Sequence, residues 1–553
     1  PANPQQIAGS AFTPDPFGGP NAPIYVSTDT GDTWALNSIL PGNSAVTGTG
    51  DVTLRFGGTS NNLYAGDLRG GAGLRLNILR TANFTAPGLM TVLVDRTNVD
   101  QPYIQATTTP GGIDRVYVGN NDFGAAGGRT ATVDVSLDGL LAAPPPPANF
   151  VSRRIEARAT SGQDGPPIRP IFHSDGTVYA AFFGWRAFSG TFTNGIATTD
   201  LVVVRDDNWA AGATQFAALT DPGDFLAGRR VVTGLQVPFI NASQANFGQE
   251  RIGGHISIAV DPRTSSRVYV AWADYPGGNP PYTLHVRRSD DRGATWTADL
   301  ITVANATNPA LAVNSDGQVG FLYQQVTGAA PQRWETHLRR SANLGVAWND
   351  LLLARPPANT PAVTFIPYIG DYVHLMTVGK DFFGIFSANN TPDLANFPQG
   401  VTYQRNANFT TQNLLNTDNA TPVAISIDPF FFHVPTLVNP PTGWVDGYTT
   451  QHIWGWACDP DYPTQSNRVD FWTPGFGQYL GSAAANLPSS APINSVCLGG
   501  TAHYFDFYPP GGLPSGTHFN AWSIDLPYST PGGVNRKTGG NGSIGDGTEF
   551  VIP

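Results

Sequence analysis

The stretches YVSTDTGDTWAL (Tyr25–Leu36) and VRRSDDRGATWTADL (Val286–Leu300) carry one pattern twice, Ser-x-Asp-x-Gly-x-Thr-Trp. Ser27, Asp29, Gly31, Thr33 and Trp34 match Ser289, Asp291, Gly293, Thr295 and Trp296 position for position. A turn recurring across such a separation predicts a repeated fold unit. The residue types suit a structural role: Asp accepts backbone N–H groups in a tight turn, Gly supplies a positive φ, and Trp buries its ring between neighbouring units. A decayed copy stands at Ser341, Asn343, Gly345 and Trp348.

Working outward, short β-branched and aromatic runs follow turns at SNNLYAGDL (60–68), GGIDRVYVGNND (111–122), SDGTVYAAFFGW (174–185), SSRVYVAWAD (265–274), SDGQVGFLYQQ (315–325) and GKDFFGIFSANN (379–390). PQQIAGSAF (4–12) reads as the same strand in a first unit. Another apolar strand precedes most of them, such as DVTLRFGG (51–58), HISIAVDP (255–262) and GDYVHLMTV (370–378). Each unit thus reads strand, strand, strand, turn, strand. Repeated four-stranded antiparallel units without helices predict an all-β fold, a β-propeller of seven blades with six as the alternative. The ring is expected over residues 1–437, with ISIDPFFFHVP (425–435) completing it and Arg186–Gln249 inserted over one face.

Composition agrees. Among 553 residues, Gly (63) and Pro (47) favour turn-rich β structure over helix interiors, and only 13% of residues are charged. The net charge of -11 and the lack of any Lys/Arg run argue against nucleic acid and anionic membrane surfaces as partners. No apolar run is long enough for membrane insertion, and a chain opening PANPQQIAG without Met is expected to be a secreted or periplasmic, bacterial product. Cys458 and Cys497 are the sole cysteines and predict a disulfide, worth about 4 kcal/mol for a loop of this length.

Ser-x-Asp-x-Gly-x-Thr-Trp is the Asp-box, or bacterial neuraminidase repeat, and over residues 1–437 the chain resembles the sialidase superfamily. The resemblance implies a propeller whose boxes sit on the rim between third and fourth strands, away from the site. Residues 438–553 form a second domain, where short strands such as IWGWACD and HFNAWSID alternate with Gly/Pro turns, as in a β-sandwich. It resembles the accessory domains of secreted bacterial carbohydrate-active proteins. Its Trp454, Trp456, Trp472 and Trp522 are expected in the core, with a sugar-stacking platform as the alternative.

A propeller brings the starts of its innermost strands to a common axis, so like positions in every unit form one list. They are Asp51, Asp100 with Gln101, Arg169, His255 preceded by Glu250 and Arg251, Asn308, and Asp371 with Tyr372. Convergent carboxylates with Arg, His and Tyr are what a polar-ligand site requires. Two nearby carboxylates provide a general acid and a nucleophile or base for glycoside cleavage. The catalytic candidates are therefore Asp51, Asp100, Glu250, Asp371 and Tyr372, and the substrate-binding candidates are Gln101, Arg169, Arg251, His255 and Asn308.

The resemblance adds a tyrosine nucleophile paired with a carboxylate, here Tyr372 with Glu250, and an arginine from Arg169 or Arg251 on an anionic sugar. The superfamily's early aromatic-Arg-Ile-Pro motif is absent, PIRPIF (167–172) having another order, so strict sialidase activity is not expected. No cofactor or metal motif is present. Oxygen-rich loops leave structural Ca²⁺ open, without an EF-hand-type spacing. The expected function is a glycoside hydrolase or lyase acting on a polysaccharide in the central cavity. The alternative is a non-catalytic glycan-binding or cell-surface scaffold propeller.

Overall fold

The computed structural model describes residues 3, 5–10, 24–31, 33–37, 49–69, 74–86, 88–124, 126–139, 150–161, 164–191, 194–241, 250–252, 255–278, 281–329, 332–358, 369–389, 401–403, 407–408, 413–414, 420–422, 427–434, 441–460, 465–497, 499–524, 542–543 and 549–553. The chain divides into two compact units, Pro1–Thr436 and Leu437–Pro553.

Unit 1 is a β-propeller. Among the described residues, one three-stranded sheet (Ile7–Ser10, Ile24–Ser27, Ala35–Asn37) is followed by six four-stranded antiparallel sheets. The first strands of these six are Thr49–Phe56, Val99–Thr108, Gly165–Phe172, Ile256–Val260, Ala306–Val313 and His374–Val378, and each of the first five contacts the first strand of the next sheet. They line the axis. Apolar side chains fill the spaces between successive sheets: Tyr269 and Val286 meet Phe321 and Trp334, for example, and Leu338 meets Phe382 and Phe432. Ile256–Val260 and Ala306–Val313 are buried along their whole length, which is why they read as continuous apolar runs. The ring closes where Trp34 of the first sheet meets Phe431 of the last edge to face, at 5.2 Å between centroids.

In the last sheet the strand latest in the chain, Ile427–Val434, takes third place between Asp381–Asn389 and Val401–Tyr403. The Arg186–Gln249 stretch is not an insertion. Val178–Ser189, Ile196–Asp206 and Arg229–Pro238 are the second, third and fourth strands of one sheet, and the first of these runs on past Phe183, where its register with Gly165 ends. Their unusual length had hidden the repeat.

The turn at Ser27 joins the second to the third strand of the three-stranded sheet, and the turns at Ser289 and Ser341 join third to fourth strands. In the first, Asp29 Oδ1 accepts hydrogen bonds from Ser27 Oγ (2.7 Å) and the Thr33 amide (3.0 Å), while Trp34 Nε1 donates to the Gly31 carbonyl (3.0 Å). Asp291 and Trp296 repeat these bonds, and Asn343 repeats the Asp part. Gly31, Gly293 and Gly345 have φ of 94°, 86° and 88°, a region glycine enters without steric cost.

A further repeat escaped the sequence reading. Trp272 and His285, Tyr323 and His337, and Phe383 and His433 are direct cross-strand partners on the second and third strands of three consecutive sheets. Their rings stack at 4.8, 5.2 and 4.4 Å. Each imidazole also bonds a carboxylate: Asp274 and Asp299, Glu335 and Asp350, and Asp381 respectively.

Unit 2 pairs a four-stranded sheet (Thr442–Tyr448, Ile453–Cys458, Ala502–Phe507, Leu487–Pro488) with a second sheet built on Tyr479–Ala485, Asn467–Trp472 and His518–Ser523. Val445, Ile453, Phe471, Phe505, Phe507 and Phe519 fill the space between them. Cys458 and Cys497 form a disulfide. The tryptophans are not in this core: Trp454, Trp456, Trp472 and Trp522 alternate with the buried residues and are only half-buried. Phenylalanine took the inward positions because it fills a thin core without an N–H to satisfy. Among the described residues no helix is long and apolar enough to cross a membrane.

Candidate active site

The site is built by irregularities at one end of the first strands. Gly50–Asp51, Gln101–Pro102 and Asn308–Pro309 are each two residues opposed to one on the neighbouring strand, and Pro166–Pro167 interrupts the register of a fourth. Proline has no N–H to give the ladder, so the strand bulges and re-aims the side chain beside it. Gln101 and Asn308 sit in the left-handed region, at φ of 57° and 53°. Non-glycine residues enter that region at a cost of order 1 kcal/mol, which surrounding contacts must offset. Asp100 Oδ1 accepts the Gln101 amide at 2.8 Å and supports the turn.

These bulges bring residues from the two ends of unit 1 together. Gln101 Nε2 donates to Asp51 Oδ2 at 3.0 Å and to Asp371 Oδ2 at 3.3 Å. The Tyr372 hydroxyl lies 3.1 Å from both Asp51 Oδ2 and Gln101 Oε1. Asp51 and Gln101 are 4% exposed and Asp371 3%. The Arg169 guanidinium is buried over the Tyr103 ring (4.3 Å) and near the Tyr372 ring (5.4 Å). Tyr103 stacks on His374 at 5.1 Å, and Arg55 Nε donates to Gln105 Oε1 at 2.9 Å. Arg55, Tyr103, Tyr372 and His374 are half-buried, so they form the accessible side of a site whose carboxylates lie deeper.

The electrostatics follow from this burial. Desolvation, then the neighbouring Asp51 carboxylate, hold the Tyr372 phenol well above its usual range, so it stays a neutral donor. Desolvation and the guanidiniums of Arg55 and Arg169 push His374 well below the usual imidazole range. His374 is therefore neutral, and its buried Nε2 has no hydrogen-bond partner among the described residues. Asp67, on the adjacent second strand, is fully buried with both oxygens lacking partners, and burial raises its carboxyl to about 8.

Of the residues singled out from sequence, Asp51, Gln101, Arg169, Asp371 and Tyr372 converge, with Asp100 beside them. Asn308 is buried and one step removed: its Nδ2 donates to Gln324 Oε1 and to the Gly370 carbonyl, both at 3.1 Å, bracing the segment that carries Asp371. His255 lies outside the cluster, buried against Tyr282 and bonded through Nδ1 to Thr307 Oγ1 at 3.0 Å. Burial lowers its pKa to about 3, as expected of a neutral packing residue. The side chains of Glu250 and Arg251 lie outside the described residues. Among the described residues, the carboxylate hydrogen-bonded to Tyr372 is Asp51. Arg55, Tyr103 and His374 were missed; they follow the candidate positions by two or four residues, the period that keeps side chains on one strand face.

No protein-family model matches the chain, and no curated protein sequence matches it. Among solved structures, it is similar to a polysaccharide lyase described as an ulvan lyase, at 11% identity, covering 70% of this chain and 89% of that one, TM-score 0.41. It is also similar to an α-L-arabinofuranosidase from Fusarium graminearum, at 10% identity, covering 62% and 88%, TM-score 0.34. A protein of unknown function from Dyadobacter fermentans aligns at 11% identity over 74% and 95%, TM-score 0.32. The chemistry of the cluster is therefore read from its own geometry.

Proposed function

We propose that unit 1 is a carbohydrate-active enzyme that hydrolyses glycosidic bonds at the axial cluster, with Asp51 and Asp371 as its working carboxylates. The observation that carries this reading is the single amide nitrogen of Gln101 shared by both, at 3.0 and 3.3 Å. With the two N–H bonds of that amide about 120° apart, the two Oδ2 atoms stand about 5.5 Å from each other, nearer the spacing of retaining than of inverting glycosidases. Asp51, which accepts hydrogen bonds from Gln101 and Tyr372, is stabilised as the anion and acts as nucleophile at the anomeric carbon. Asp371 protonates the departing oxygen, then takes a proton from the water that releases the sugar. Tyr372 holds Asp51 in position, and Arg169 anchors the substrate.

The test is a panel of plant, algal and bacterial polysaccharides assayed for new reducing ends. D51N and D371N should each lower kcat at least about a hundredfold, and Y372F about tenfold, with the fold unchanged. The first-formed product should keep its anomeric configuration in proton NMR. Release of no product by the wild-type chain, with sugar still bound, would replace this reading by the non-catalytic glycan-binding one.

One observation favours a lyase instead. The Arg55 and Arg169 guanidiniums beside the neutral His374 are suited to hold a uronate carboxylate, the group next to which a lyase removes a proton. Elimination leaves an unsaturated, ultraviolet-absorbing product, and hydrolysis does not.

A further inference from the structure

Unit 2 displays aromatic side chains that its core does not use. Trp444, Trp456 and Tyr504 are direct cross-strand partners, and Leu487 is the partner of Tyr504 on the fourth strand. Trp456 and Tyr504 alternate with the core residues of their strands, so the row crosses the sheet on the face away from the core. At ordinary strand spacing the four side chains span about 14 Å. Trp444 is 51% exposed. The short helix Ala491–Val496 and the disulfide lie against the middle of this row, where Ile493 packs with Trp456 and Tyr504.

Beyond Trp454, on the same face, the rings continue as a stack. Trp454 lies 4.8 Å from His452, and His452 lies parallel to Tyr508 at 4.3 Å. Tyr508 is 65% exposed. His452 Nε2 and Asp506 Oδ1, 2.8 Å apart, place a polar pair among the rings.

We propose that this face is a binding site for a neutral, pyranose-based polysaccharide, separate from the axial cluster. A pyranose has an apolar C–H face and a hydroxylated edge. Flat Trp and Tyr rings match the first, while the His452–Asp506 pair supplies a donor and acceptors for the second. Trp444 and Tyr508, both more than half exposed on one aromatic face, are unlike scattered single apolar residues and mark an interaction surface. Charge selects the occupant. Residues 437–553 hold eight acidic side chains against three basic ones, so sulfated or uronate-rich chains are repelled and a neutral chain is not. The site stands whether or not unit 1 cleaves the same chain.

The test uses the full-length protein in native gels cast with hydroxyethylcellulose, xylan or arabinan, and with alginate as the anionic comparison. Wild type should be retarded by at least one neutral polymer, with little dependence on salt. W444A and Y508A, both at exposed positions, should each weaken that retardation at least tenfold, while D51N leaves it unchanged. The proposal is overturned if no neutral polymer retards wild type, if alginate alone does, or if W444A and Y508A migrate as wild type. Sedimentation of a dimer that W444A dissolves would likewise overturn it, by making the face a contact between copies. Loss of turnover in D51N with retardation intact bears on unit 1 alone, and loss of retardation in W444A with turnover intact bears on unit 2 alone.

Discussion

At the scale of single residues, the axial cluster is a problem of burying charge. Asp51 and Asp371 are almost wholly removed from water, which is tolerable because donors meet them: the Gln101 amide bonds both, and the Tyr372 hydroxyl bonds Asp51. Asp67 is the contrast. It is fully buried, its oxygens have no hydrogen-bond partner, and its carboxyl titrates at about 8 against an ordinary value of 3.8. Between those two values the folded state holds a proton that the unfolded state releases, so stability falls as pH rises through that window and is flat above it. Replacing Asp67 by Asn removes the slope. Urea unfolding of D67N should match wild type near pH 4 and exceed it by about 2 kcal/mol or more at pH 8.5. Equal pH dependence in the two proteins would show that Asp67 is not the buried acid.

Strand-level features explain why the repeat is stable although its turns have diverged. The stacked pairs His285 with Trp272, His337 with Tyr323 and His433 with Phe383 recur in three consecutive sheets, and each ties the second strand to the third. Burial alone would depress the His285 pKa, but Asp274 and Asp299 outweigh it and hold the imidazole at about 9. The charged ring therefore adds stability in full below the ordinary value of 6.5, and that contribution is lost as pH rises through about 9. H285Q should cost about 2 kcal/mol at pH 6 and much less at pH 9.5, read as the shift in denaturation midpoint. A cost independent of pH would assign the residue to packing alone. The bulged first strands are the other such feature: Gln101–Pro102 and Asn308–Pro309 gain no ladder bond at the proline but turn a side chain toward the axis.

For the whole molecule, ring closure makes the site. Asp51 and Tyr372 lie more than three hundred residues apart in sequence and share a hydrogen bond, so the cluster exists only when the ring brings the second and last sheets together. Unit 2 depends on a different constraint. Its single disulfide joins residues 39 apart, and C458A/C497A should lower the stability of that unit by about 4 kcal/mol while unit 1 keeps its transition in scanning calorimetry. A lower transition for unit 1 as well would show that the two do not unfold separately.

The sequence by itself determined the β class, the repeat, the approximate place of six inner strands and most of the axial residues, because a period-two strand and a Gly-containing turn leave local marks that survive divergence. Asp51, Gln101, Arg169, Asp371 and Tyr372 were legible as polar residues at positions that should otherwise be apolar. Packing decided the rest. His255 occupies a like position on its strand, yet it turns into the wall against Tyr282, and Asn308 braces a loop; which way such a side chain faces depends on the neighbouring sheet, and no local pattern records that. The tryptophans of unit 2 alternate as core residues do, and alternation says that one face is buried without saying which. Only the second sheet, whose Phe471 and Phe519 meet Phe505 and Phe507, settled that the tryptophans look outward.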